Sequence, residues 1–217
     1  MKSLAVQRWP GPTPAPQDGL FAILINTSAA SSPLSTAGAP APHATNAVPP
    51  PASNAGQQRD AARREIRQAA REALGAVLRM PAADITIVST LGTPPHVLLA
   101  GVGSHIGISF SHEDGYGLAA INLHGPIGAD IMRVQDIPDW QTVASDYLGP
   151  AVAAAALQNT INRPLAFTQA WTQREAALKC HAQQLSEWQA VLSGVSISLI
   201  LPDPNLAGHI HIGDKTT

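Results

Sequence analysis

A single cysteine, Cys180, is all the chain carries. An intramolecular disulfide is therefore excluded, and a reducing, cytoplasmic compartment is expected. Charge is also sparse: Lys and Arg total 13 against 15 Asp and Glu, for a formal net charge of −2. Broad nucleic-acid binding through a basic face is not expected from such a balance. No apolar run is long enough to span a bilayer, and the short apolar stretch Gly19 to Ile25 lies too far behind Lys2 and Arg8 to read as a secretory signal. The eight histidines are scattered, His209-x-His211 lacks the partner motif of a zinc site, and no Gly-x-x-x-x-Gly-Lys-Ser/Thr phosphate loop occurs.

What is present suffices for folding. The 217 residues with 45% apolar content support one core or two small lobes. Residues 1 to 55 differ from the rest. Proline, alanine, serine and threonine dominate, as in Pro10-Gly11-Pro12-Thr13-Pro14 and Pro49-Pro50-Pro51. Such a composition buries too little surface to offset chain entropy, so a mostly flexible segment is expected, with one strand over Leu20 to Ile25.

A folded domain is expected over residues 56–217. Residues 59 to 79 read as a helix with an apolar stripe at Ile66, Ala69, Ala70, Ala73, Leu74 and Val77, stopped by Pro81. Strands are expected over Ile85 to Val88 and Ile106 to Phe110, the latter ending in Ser111-His112. Leu118 to Leu123 and Ile127 to Met132 read as a hairpin closed at His124-Gly125-Pro126. Ala151 to Leu157 reads as helical. Thr168 reads as the N-cap of a helix from Gln169 to Leu185, Val195 to Leu201 as a strand, and the stretch after Pro202 as a short polar tail. Helix followed by strand thus occurs twice, which suggests an α+β fold of two similar lobes, about 56–115 and 116–217, each a helix on a small, mostly antiparallel sheet.

Chemistry concentrates in two segments. On the strand Gly128-Ala129-Asp130-Ile131-Met132, side chains alternate, so Ala129 and Ile131 point to the core while Asp130 and Met132 point to a cleft or solvent. On the helix, Trp171, Glu175 and Lys179 are four residues apart and share a face. Read singly, each has an ordinary account: a solvated strand carboxylate, a surface Glu–Lys pair worth about 0.3–0.5 kcal/mol, and, for His112 before the Glu113-Asp114-Gly115 turn, a structural histidine.

Read together, Ser111-His112, then Gly128-x-Asp130, then Trp171-x-x-Arg174-Glu175-x-x-x-Lys179 resembles the 4'-phosphopantetheinyl transferases of the surfactin-synthetase-activating type, from about residue 59 to 201. The resemblance implies a Mg²⁺-dependent enzyme that moves the phosphopantetheine arm of coenzyme A onto a carrier-protein serine in fatty-acid, polyketide or peptide-synthetase systems, releasing adenosine 3',5'-bisphosphate. It also implies that Asp130 and Glu175 hold the metal, that Glu175 deprotonates the serine, and that Lys179 contacts the phosphates and assists the leaving group. Ser111, His112 and Arg63 would bind coenzyme A, with Arg64 a rival to Arg63, and a monomer is expected.

Two departures from the family pattern stand out. Met132 replaces a second carboxylate, and a thioether is a poor Mg²⁺ ligand. Thr93 replaces a lysine in the Gly92-Thr93-Pro94 turn. They keep open an alternative, a non-catalytic module of the same fold that binds coenzyme A or a carrier protein.

Overall fold

The structure is a computed structural model that describes residues 2–27, 53–90, 92–158 and 162–213. Its centre is β2 (Leu20–Asn26), an almost fully buried strand. A continuous apolar run such as Leu20 to Ile25 is stable as a strand only when both faces are covered. Both are. Phe21, Ile23 and Ile25 pack with the apolar stripe of helix α1 (Ser53–Leu78), whereas Leu20, Ala22 and Leu24 enter a second core on the opposite face. The stripe expected of the early helix, Ile66, Ala69, Ala70, Ala73 and Leu74, is the buried face of α1.

Nine strands hydrogen-bond in the order β3-β4-β5-β6-β2-β1-β8-β9-β7. They are β1 (Ser3–Arg8), β3 (Ile85–Val88), β4 (His96–Leu99), β5 (Val102–Glu113), β6 (Tyr116–Asn122), β7 (Ile127–Arg133), β8 (Val195–Ile200) and β9 (Leu206–Ile212), with β2 as above. β1 runs parallel to both its neighbours, β2 and β8, and every other pairing is antiparallel. The architecture is mixed α+β, with one large sheet and several helices. A short helix α2 (Trp140–Val143), a π-helical turn over Ala144–Leu148 and helix α3 (Pro150–Gln158) lead into α4 (Arg163–Cys180). They share a small core of Trp140, Ala144, Leu148 and Phe167.

Four local expectations are corrected. The proline-rich N-terminal stretch contains two strands rather than one, because Leu4 and Val6 alternate into the second core despite their polar neighbours; residues 28–52 lie outside the described residues. β6 and β7 are joined by a tight turn but do not pair, since β2 and β5 already occupy both edges of β6; β7 pairs with β9 instead. Thr168 lies inside α4, which starts after Asn162 with Pro164 in its first turn and ends at Cys180. The stretch after Pro202 is no polar tail: β9 buries Leu206, Ala207 and Ile210, and its two histidines are buried as well.

β7 lies against β5, and the two are joined by side chains rather than by backbone pairing. Ala129 N donates to Ser109 Oγ at 2.9 Å, Ile131 N to Ser111 Oγ at 3.2 Å and Arg133 N to Glu113 Oε2 at 2.9 Å. The period-2 spacing of Ser109, Ser111 and Glu113 matches the alternating free N–H groups of β7. Ser109→Ala would orphan a buried backbone N–H, so a loss of about 1–3 kcal/mol is expected in urea unfolding; an unchanged midpoint would show that the seam contributes nothing.

Candidate active site

Gly128 sets the distance between β7 and α4. A Cβ at this position would stand 1.9 Å from Ala176 O and 2.4 Å from Cys180 N, so only glycine lets the helix rest on the strand backbone. Small residues on the helix face, Thr168, Thr172, Ala176 and Ala177, permit the same close approach. Glu175 and Lys179 flank this contact, and Lys179 Nζ reaches Asp130 Oδ1 at 2.7 Å and Ala129 O at 3.2 Å.

Asp130 was expected to face a cleft or solvent. It is 8% exposed, with Oδ1 accepting from Ser111 Oγ at 2.8 Å as well as from Lys179. Ala129 and Ile131 point into the core as expected. Burial pushes the Asp130 carboxyl above the ordinary carboxylate range, while the charge of Lys179 and the hydrogen bonds from Lys179 and Ser111 pull it back; Glu113 adds a further upward push. Half-buried Glu175 is raised too, first by burial and next by the negative charge of Asp130. The charge of Asp130 thus acts on Glu175.

The donor chemistry suits a hard divalent cation. Mg²⁺ is typically held by one or two carboxylates with water and substrate phosphates completing its shell, and Asp130 and Glu175 supply two. Among the described residues no group of three His, Cys, Asp or Glu is gathered closely enough to hold a metal. Met132, on the Asp130 side of β7, supplies no oxygen.

A cleft of about 810 Å³ lies between α1 and the β5–β6 turn, lined by Arg59, Arg63, His112, Glu113, Asp114 and Tyr116 among others. His112 sits on its rim. Its imidazole is lowered from the usual value, first by partial burial and then by the charges of Arg63, Lys179 and Arg67, and a hydrogen bond to the Ala62 backbone opposes this. The charges of Arg63, Lys179 and Arg67 thus all act on His112, and the acidic Glu113 and Asp114 share the cleft wall with Arg59 and Arg63.

The structure sorts the remaining expected residues. Arg63 lines the cleft and Arg64 does not. Ser111 does not line the cleft with His112; the residue is 4% exposed and its hydroxyl is committed to Asp130 and Ile131 N. The Gly92-Thr93-Pro94 turn does not line the cleft, and Thr93 Oγ1 donates to Thr90 O. Trp171 orders its helix, with its ring stacked on Phe167 and edge-on to Tyr147, both at 6.1 Å.

Two arginines were not singled out from the sequence. Arg59 lines the cleft, and Arg67 lies 5.1 Å above the Phe110 ring while its charge reaches His112. The signal for both was the i, i+4, i+8 spacing of Arg59, Arg63 and Arg67 on one helix face.

Convergence of the two carboxylates is measurable without any ligand. Removing the charge of Asp130 removes a repulsion that disfavours ionised Glu175, so Asp130→Asn should lower the Glu175 pKa, followed by ¹³C NMR of the side-chain carboxyl. An unmoved titration would place the two groups out of reach of each other.

Comparison with known proteins bears on the same stretch. Residues 126–212 match the family model of the 4'-phosphopantetheinyl transferase superfamily. No curated protein matches the chain. The matched stretch is less than half the sequence; it contains Asp130, Glu175 and Lys179 and leaves out Arg63, Ser111 and His112. The segment from β7 to β9, with both carboxylates and the lysine between them, is similar to a domain of this superfamily, which supports a transferase of the phosphopantetheinyl kind.

Proposed function

We propose that the protein is a 4'-phosphopantetheinyl transferase of the surfactin-synthetase-activating type, acting with Mg²⁺ on the serine of a carrier protein. The observation that carries this reading is the Lys179–Asp130 ion pair, with Asp130 acting on Glu175 by its charge, within a stretch that matches the superfamily. The two-lobed division belongs to the same reading. It is supported by α1 packing on β2, β3 and β6 while α4 packs on β7, β8 and β9. We take the lobes to be about 56–115 and 116–217, with β1 and β2 completing the sheet between them.

The chemistry follows from the side chains. Arg59 and Arg63 on α1, with His112 opposite, bind the phosphates of coenzyme A by charge and hydrogen bonding. Glu175, raised in pKa by burial and by Asp130, is suited to take the proton of the incoming serine hydroxyl. The serine oxygen forms a bond to the phosphorus carrying the pantetheine arm, and the bond from that phosphorus to the bridging oxygen breaks. Adenosine 3',5'-bisphosphate leaves with the electron pair. Lys179, long enough to reach from Asp130 toward the phosphates, neutralises the charge that develops on that oxygen. Bound Mg²⁺, held by Asp130 and Glu175, would supply additional charge stabilisation at the pyrophosphate.

Two observations favour the second reading, a binding module without transfer: Met132 stands where a further oxygen ligand would assist, and Lys179 is already engaged on Asp130. The two readings separate in one experiment. With coenzyme A, Mg²⁺ and a panel of apo-carrier proteins, intact-mass spectrometry should show the phosphopantetheine increment on a carrier. Asp130→Ala and Glu175→Ala should each lower turnover by about a hundredfold or more, with much smaller effects on the unfolding midpoint. Calorimetric binding of coenzyme A with no modified carrier would establish the module instead.

A further inference from the structure

The motif His209-x-His211 fits no zinc pattern, and the transfer chemistry above makes no use of it. His209 nevertheless occupies a particular place. In the β7–β9 pairing it stands directly opposite Asp130, so the two side chains share one face of the sheet, the face on which α4 lies. It is 3% exposed.

Its ring is held on both sides. Nδ1 is 2.9 Å from Thr172 Oγ1 on α4, and Nε2 is 3.1 Å from Ser198 Oγ on β8. Thr172 Oγ1 carries one hydrogen, and Thr168 O at 2.9 Å and Gln169 O at 3.2 Å are carbonyl acceptors for it one turn back in the same helix. With that hydrogen donated to Thr168 O, Oγ1 accepts from His209, so Nδ1 carries the proton. A neutral ring then presents a bare Nε2, which accepts from the Ser198 hydroxyl. Burial keeps the ring neutral, with its pKa lowered to about 4. Ser198, His209, Thr172 and Thr168 therefore form one hydrogen-bonded string from β8 through β9 into α4.

Thr172 lies one helical turn before Glu175 and two before Lys179. Helix α4 is thus tied to one rung of the sheet at two points: through Thr172 to His209, and through Lys179 to Asp130. The Gly128 contact sets how closely the helix approaches, but a glycine cradle alone leaves the helix free to slide or roll. A directional bond to a buried ring does not.

We propose that His209 is a positioning residue: through Thr172 it fixes the rotation of α4 so that Lys179 and Glu175 remain over Asp130. The placement of Lys179 is a property of the described fold. The consequence for turnover rests on the transferase reading.

The test uses the full-length protein and two readouts. The first is the rate at which acetic anhydride labels Lys179, relative to the other lysines, by peptide mass spectrometry; an amine held on Asp130 is protected. Thr172→Val keeps the volume and removes the acceptor, and Thr172→Ser restores the hydroxyl. His209→Phe removes both bonds, and His209→Asn keeps a donor near the position of Nδ1. Labelling of Lys179 is expected to rise about tenfold in Thr172→Val and His209→Phe, and to stay within about twofold of the parent protein in Thr172→Ser and His209→Asn.

The second readout is carrier modification, where Thr172→Val should lower kcat with little change in KM for coenzyme A, since the Arg63–His112 cleft is untouched. Unchanged Lys179 labelling in a folded Thr172→Val variant, or equal labelling in the valine and serine variants, overturns the proposal. If His209→Phe does not fold, the Thr172 pair decides. If no carrier is modified by the parent protein, the transferase reading fails while the labelling still settles the positioning role.

Discussion

The fold and its site depend on one contact, the seam between β5 and β7. Strands ordinarily join by exchanging backbone hydrogen bonds; here the hydroxyls of Ser109 and Ser111 and the carboxylate of Glu113 accept the N–H groups of β7. Buried backbone donors without acceptors are costly, and these three side chains satisfy them at the spacing a strand requires. Ser111 then does more than close the sheet. It accepts from Ile131 N and donates to Asp130 Oδ1, so a single hydroxyl links strand closure to the charge of the site. With β7 anchored this way, its Gly128 face is presented to α4, and Lys179 meets Asp130.

Overall charge gave little warning of the local field. The chain is slightly acidic, yet Arg59, Arg63 and Arg67 follow one another along α1, and Lys179 approaches from α4 toward the same histidine. A near-neutral total is compatible with local clustering of arginines, here beside Glu113 and Asp114 in the cleft wall, because field strength depends on placement. The acidic partners are handled differently. Asp130 is buried against a lysine and a serine, and Glu175 is left half-buried with its ionisation disfavoured by Asp130. Two carboxylates on neighbouring elements thus have distinct environments, the circumstance in which acid and base roles diverge.

Much of this was legible in the sequence, and the failures have specific causes. Periodicity identified the buried face of α1 and the inward pair Ala129 and Ile131, because apolar side chains repeat there at the helical and strand periods. The family resemblance, not the spacing alone, singled out Asp130, Glu175 and Lys179, of which Lys179 and Asp130 form an ion pair at 2.7 Å. Topology was not legible: a strand followed by a tight turn and another strand reads as a hairpin, and nothing local reveals that β6 is already paired on both edges. The orientation of Ser111 was missed because its neighbour His112 was read as a partner, although alternation sends them to opposite sides. β9 was missed because histidines and glycine dilute its apolar content, yet His209 and His211 are buried through bonds to hydroxyls and a carbonyl.

β1 lies near the start of the chain but in the interior of the sheet, between β2 and β8. During synthesis its neighbour β2 emerges soon afterwards, whereas β8 emerges only after all the intervening elements. Until then β1 has one open edge, and the core it shares with β8 and β9 cannot close. Completion of the sheet therefore waits on contacts between strands far apart in sequence, the kind that slows folding most and leaves a partly formed sheet most exposed to misassociation.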